Sequence, residues 1–254
     1  MNTPRQITLL AILFMALTIL RPEAKGVEFC NHGAPDKFLS LETQLMIGGS
    51  GITQNYGSSF PEIRDINASM GVGWGLGVVA EFGIRDYLWL GTQVNMIVNN
   101  NKLDVAVSNA NATSISNIFL SNRAYYLNFP VYLSFKFNIA APVRWNVDFG
   151  GYYSYGFAGS QKQTIYNSLV NELGGLINRT FTSKPSFFNN NSTFINRFCR
   201  GDIGVMVATG LTFAGHYHIG VRSTIGLKNI SKSSGIVNPN IHNATIMVTL
   251  GYRF

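Results

Sequence analysis

The chain has 254 residues and a net charge of +7, with 12% charged, 46% hydrophobic and 13% aromatic residues and 26 glycines. Soluble domains carry about 25% charged residues, so Asn, Ser, Thr, Gln and Gly supply the polarity here. This profile excludes a disordered chain, which lacks aromatics, a coiled coil rich in Glu, Lys and Arg, and a polytopic helical membrane protein, because no apolar run after Leu20 nears the roughly 18 residues a spanning helix needs.

Residues 1–24 read as a cleaved secretory signal peptide. Arg5 precedes an apolar run from Ile7 to Leu20, Arg21-Pro22 stops it, and small Ala24 follows. A membrane anchor is the competing reading, but the run is short for one. Residues 25–37 form a periplasmic N-terminal segment carrying Cys30 and His32, and residues 38–254 form the body of the protein. Cys30 has no lipobox before it. Its distance from Cys199 across the expected topology is beyond disulfide reach.

From residue 38 onward the period is two. The first segment, 38–48, sets Leu39, Leu41, Leu45 and Ile47 against Ser40, Glu42, Gln44 and Met46. The second, 70–84, sets Val72, Trp74, Leu76, Val78 and Phe82 against Gly71, Gly73, Gly75, Gly77 and Glu81. The third (87–98), fourth (123–137) and fifth (144–158) continue the pattern. Tyr125, Leu127, Phe135, Phe137, Trp145, Tyr153, Tyr155 and Phe157 lie on the apolar face; Lys136 and Asp148 lie on the polar one. Residues 159–201 are read as a long loop. In it Ile165, Leu169, Val170, Leu173, Leu176 and Ile177 recur at helical spacing, which predicts a short helix over the barrel mouth, broken at Gly174-Gly175. A partner-docking surface is the sharper reading of the same loop. The sixth (202–213), seventh (216–227) and eighth (243–254) segments close the series, with Phe213, Tyr217, Ile246, Val248, Leu250, Tyr252 and Phe254 on the apolar face and His218, Arg222 and Arg253 opposite.

Connections alternate in length: 85–86, 138–143 and 214–215 are short, while 49–69, 99–122, 159–201 and 228–242 are long. An even strand count with short turns at one end and long loops at the other predicts an all-β, eight-stranded antiparallel up-and-down transmembrane β-barrel in the outer membrane. A closed barrel leaves no unpaired strand edge in lipid. The polarity is expected to be inside out, because the apolar face carries no charge. It also holds two aromatic girdles: Phe82, Phe135, Phe137, Trp145, Phe213 and Tyr217 near the short turns, and Tyr125, Tyr153, Tyr155 and Phe157 near the loops. A soluble barrel with an apolar interior is the competing reading.

Eight strands enclose just enough room for side chains. Glu42, Glu81, Lys136, Asp148, His218, Arg222 and Arg253 therefore converge in the turn-proximal half of the lumen. There they are expected to pair as a polar plug; a proton or ligand path is the alternative. The glycines of the second segment are expected to make room for Trp89, Tyr126, Tyr132 or Tyr152. No Ser-His-acid set or spaced carboxylate pair is present, Asp202 and His242 read as rim residues, and Cys30 with His32 are too few for a metal site. No catalytic, cofactor or metal residues are assigned. Lys and Arg are scattered singly, which argues against nucleic acid and for weak attraction to an anionic surface.

The stretch Tyr125-Tyr126-Leu127-Asn128-Phe129-Pro130-Val131-Tyr132-Leu133 resembles a strand of the PorT-like outer-membrane β-barrels of Bacteroidota. So do Gly201-Asp202-Ile203-Gly204, Gly226-Leu227-Lys228-Asn229-Ile230 and the ending Leu250-Gly251-Tyr252-Arg253-Phe254. The ending Ile246, Val248, Leu250, Tyr252 and Phe254 is similar to the signal read by the barrel-assembly machinery. The resemblance implies a non-enzymatic structural or interaction scaffold tied to type IX-like secretion or surface assembly, with outer-membrane lipid as its surroundings and secretion or surface proteins meeting it through 159–201. That loop is longer than the family's. A small-solute channel and a surface enzyme acting on lipid or peptide are the alternative functions.

Overall fold

The computed structural model describes residues 28–55, 63–108, 114–170, 175–188, 198–232 and 240–254. The signal peptide 1–24 lies outside them, as do Leu173 and Gly174.

Nine strands follow one another: β1 (Leu39–Asn55), β2 (Ile63–Arg85), β3 (Leu88–Ser108), β4 (Ser114–Ala140), β5 (Val143–Val170), β6 (Leu176–Ser183), β7 (Gly201–Phe213), β8 (Tyr217–Gly226) and β9 (Asn240–Arg253). All neighbours pair antiparallel. Eight strands close a ring in the order β1, β2, β3, β4, β5, β7, β8, β9 and back to β1. The closing seam runs from Glu42↔Arg253 to Asn55↔Asn240. The fold is thus the eight-stranded up-and-down barrel expected from the alternation, with β6 as an addition outside the ring.

Above the ring the structure departs from the expected loops. Much of 49–69, 99–122 and 159–201, expected as loops, is strand. β3, β4 and β5 run on past the mouth, and β6 pairs with the far end of β5 from Gln163↔Ser183 to Val170↔Leu176. The helix expected within 159–201 is replaced by this hairpin. The reason is local: β4 extends to Ser114 and presents a free ladder edge, which β5 satisfies from Ser114↔Leu169 onward. β-Branched Thr164 and Ile165, with Tyr166, suit a pleated ladder better than a helix. Ile165, Leu169 and Ile177, which share a helical face, also fall on one face of this sheet.

Within the ring the alternation is regular. Outward residues such as Leu45, Leu76, Val94, Leu133, Val207, Ile219 and Leu250 are exposed; inward Gln44, Gln93, Asn128, Ser134 and Thr249 are buried. Outward positions from the turns up to Val98 and Tyr125 carry no charge. The stretch from Leu88 to Val98, at about 3.4 Å per residue and a tilt of about 40°, rises about 25 Å, the height of an apolar membrane band. Aromatic pairs mark both borders: Phe137 with Trp145 (ring centroids 5.5 Å apart) and Tyr217 with Tyr252 (5.6 Å) at the turns, Tyr125 with Phe157 (6.1 Å) at the loops. The remaining girdle residues Phe82, Phe135, Phe213, Tyr153 and Tyr155 are exposed or half-buried on this face, and Ile246, Val248, Leu250, Tyr252 and Phe254 are all exposed along β9 and just past its end.

The N-terminal segment straps the turn end. Phe29 stacks on Phe137 (5.0 Å), the Asn138 N–H donates to Phe29 O (2.9 Å), and the Asp86 N–H donates to Gly33 O (3.1 Å). His32 meets the Tyr87 ring edge-on.

Candidate functional site in the barrel lumen

The lumen is built in three tiers, each set by which side chains the inward parity delivers at that height. The lowest tier, near the turns, is ionic. Lys136 Nζ lies 2.5 Å from Glu81 Oε2, and Arg253 Nη2 bridges Glu42 Oε2 (3.0 Å) and Glu81 Oε2 (3.1 Å). Gln44 Nε2 donates to Glu42 Oε1 (2.7 Å), and the Lys136 ammonium sits 3.9 Å from the centroid of a Trp89 ring. Trp89 is held by its own N–H, which donates to Asp86 O (3.0 Å). Such charges are tolerable in a narrow, dry space only because each meets opposite charge and further donors.

The ion pairs expected of the plug do not extend to all seven residues. Among the described residues Asp148 and Arg222 form none. Asp148 Oδ2 accepts from Asn146 Nδ2 (3.0 Å), while Arg222 donates to Gln44 Oε1 (3.0 Å) and lies 3.3 Å from Met46 Sδ. His218 is buried with Nδ1 3.5 Å from Thr212 Oγ1. The cross-strand registers explain this. They bring Glu42 opposite Arg253 and put Glu81 within reach of Lys136, but set Asp148 against Ser134 and Ala208.

The middle tier is polar, with no ion pair among the described residues. Gln93 Nε2 donates to Tyr132 Oη (3.0 Å), Asn95 Nδ2 to Gln93 Oε1 (3.1 Å), and Asn128 Nδ2 to Ser154 Oγ (2.6 Å). Asp202 belongs here and not at the rim where the sequence reading set it. It is buried, and its Oδ2 accepts from Tyr152 Oη (3.1 Å) and Asn243 Nδ2 (3.0 Å). Its parity with Gly204, Met206 and Gly210 was the signal for an inward position. A cavity of about 20 Å³ beside it is bounded by Asn99, Tyr126 and Thr224, among others. That is room for about one water.

The top tier leaves no trace in the alternation. An amide ladder, Asn122 Nδ2 to Asn101 Oδ1 (2.8 Å) and Gln161 Nε2 to Asn122 Oδ1 (2.7 Å), runs along the inner wall from β3 to β5 at the mouth. Above it Phe187, Phe188 and Phe198 form an apolar cap with Leu103, Leu120 and Ile230. Phe187 stacks on Phe198 (4.3 Å) and meets Phe188 edge-on (5.0 Å). Phe187 and Phe188 lie in a stretch with no strand alternation, so period two could not find them.

The glycines do make space for aromatic rings, but not the glycines expected. A Cβ on Gly91 would strike the Tyr132 ring, one on Gly204 the Tyr152 ring, and one on Gly156 the Phe188 ring. The glycines of β2 face Asn100, Met247, Met46 and Asn95 instead. Tyr126 packs against Phe188 (5.9 Å).

Among the described residues no three His, Cys, Asp or Glu gather as metal ligands. Cys30 and Cys199 are free thiols. His216 Nδ1 lies 2.8 Å from Arg253 O at the turn end, and no ion pair joins Asp202 to His242 among the described residues.

No family model matches the chain, and no curated protein does. Solved structures with similar chain paths include Ail, the attachment invasion locus protein of Yersinia pestis (10% identity, 86% of this chain and 100% of that one, TM-score 0.37). Neisserial surface protein A (11%, 86% and 98%, 0.32) and OprG from Pseudomonas aeruginosa (11%, 89% and 99%, 0.27) are others. The ring itself follows from the pairing registers above.

Proposed function

We propose that this protein is an integral outer-membrane β-barrel with a sealed lumen, acting as a non-enzymatic structural or interaction scaffold. One observation carries the reading: an exposed, charge-free apolar band surrounds a ring whose charged side chains at that height are all turned inward. Such a surface is unfavourable in water and suited to lipid. Three stacked tiers then fill the interior from the turns to the Phe187–Phe198 cap.

The scaffold's contact surface is the rise of β3–β6 above the ring, with the β5–β6 hairpin at its tip. Rigid sheet extended past the membrane holds side chains in fixed positions for a partner, as loops on rigid scaffolds do. By its resemblance to PorT-like barrels, the partner class is a secretion or surface-assembly protein. Export through a Sec-type signal and insertion by the barrel-assembly machinery through the Phe254 ending belong to the same reading. A solute channel is the runner-up. Planar-bilayer recording separates the two: the sealed barrel inserts without a steady open conductance, whereas a stable, large conductance supports the channel. Pull-down with a deletion of 163–183 tests docking, and an unchanged set of partners contradicts it.

A further inference from the structure

Above the apolar band the outward face changes character within two rows. The last apolar row holds Val98 opposite Tyr125. The next outward row sets Asn100, Arg123 and Ser160 side by side, and the one after it sets Ser69, Lys102, Ser121 and Lys162 side by side. Lys102, Arg123 and Lys162 are all exposed and surround Ser121 on three adjacent strands. Outward rows are about 7 Å apart along a strand and strands about 4.8 Å apart, so the three cations share a patch about 10 Å across. Among the described residues none of them makes an ion pair. Arg123 uses Nε to donate to Asn100 Oδ1 (3.1 Å), its two Nη groups meet no acceptor among the described residues, and the acids on this face, Asp104 and Asp65, lie in the rows above. Three like charges placed together repel one another; Asp104, one row above Lys102, offsets only part of that repulsion, and an anion seated among the three offsets the rest.

We propose that this patch binds the phosphorylated headgroup of a lipid whose acyl chains lie along the band below. The inference rests on the membrane-spanning reading. Chemistry and height agree: the cations begin one row above Val98 and Tyr125, where headgroups lie, and Arg and Lys donors bind phosphate by charge-assisted hydrogen bonds. Ser69, Ser121 and Ser160 add hydroxyl donors between them. Tyr125 and Phe157, their rings tilted against each other just below, sit at the acyl–headgroup boundary.

The test uses the full mature chain refolded into phosphatidylcholine vesicles, alone or with diphosphorylated lipid A, the same lipid stripped of phosphate, or free glucosamine phosphate in the buffer. The readout is the temperature at which the compact, heat-modifiable form is lost. The diphosphorylated lipid raises that temperature for the wild type; the stripped lipid and the free sugar phosphate do not. In the Lys102→Ala/Arg123→Ala/Lys162→Ala variant the lipid concentration needed rises about tenfold or more, the order expected for lost contacts to phosphate. The charge-retaining Lys102→Arg/Arg123→Lys/Lys162→Arg variant keeps the effect. An undiminished response in the alanine variant, or an equal response to stripped lipid, overturns the proposal. Saturation by free sugar phosphate also overturns it, in favour of a small-anion site. A wild type that enters no vesicle overturns the membrane reading itself, and this inference with it.

Discussion

The ionic tier concentrates its cost and its specificity in few side chains. Lys136 is 3% exposed by its side chain and is salt-bridged to Glu81, which also meets Arg253. Lys136→Ala leaves Glu81 with one cation fewer and a void beside Trp89, and should cost about 3–5 kcal/mol, read as a lower urea midpoint in vesicles. The double change Lys136→Met/Glu81→Gln should recover much of that loss, because a neutral pair needs no counter-charge. At Gly91 the Tyr132 ring occupies the space of a side chain; Gly91→Ala should cost about 1–3 kcal/mol by overpacking, measured the same way. The polar seven were legible from parity alone, since Glu42, Glu81, Lys136, Asp148, His218, Arg222 and Arg253 share the non-apolar face. Which of them would touch was not legible. It depends on register between strands far apart in sequence, such as Glu42↔Arg253, and period-two reading assigns a face without assigning a neighbour.

At the scale of elements, the eight ring strands could be read because lipid-like exposure and a filled lumen force strict alternation. The extension above the ring could not. There both faces meet mixed surroundings: Ile177 and Phe181 are exposed on β6 while Leu103 and Val105 on β3 are buried under the cap. With the alternation blurred, Ile165, Leu169, Leu176 and Ile177 fit a helical period as well as a strand. The two parts should also respond differently to deletion. Removing 163–183 takes away the hairpin and the partner of β4 from Ser114 to Leu120, all above the ring, and should leave the heat-modifiable barrel unchanged. Removing 160–198 also takes away Gln161, Phe187, Phe188 and Phe198, and should lower stability markedly. Phe187→Ala alone should cost about 3–5 kcal/mol by leaving a cavity in the cap. Equal stability of the two deletions would show that the cap adds nothing to the stability of the ring.

For the whole molecule, the sparse charge has two causes. Outside, a band about 25 Å high has no use for charge. Inside, an eight-stranded lumen has room for few ions, and those it holds are mostly paired or hydrogen-bonded. Charge returns where water returns: Arg85 and Lys37 at the turn end, Lys102, Arg123 and Lys162 above the band. The central claim is this inside-out polarity, and two of the three tryptophans report it. Trp74 is 41% exposed on the outward face, whereas Trp89 is 5% exposed within the lumen. Single-tryptophan variants keeping Trp74 or Trp89, refolded into vesicles with brominated acyl chains, give the most direct reading. The bromines should quench Trp74 strongly and leave Trp89 largely unaffected. An unquenched Trp74, or a Trp89 quenched to the same degree, would contradict the account.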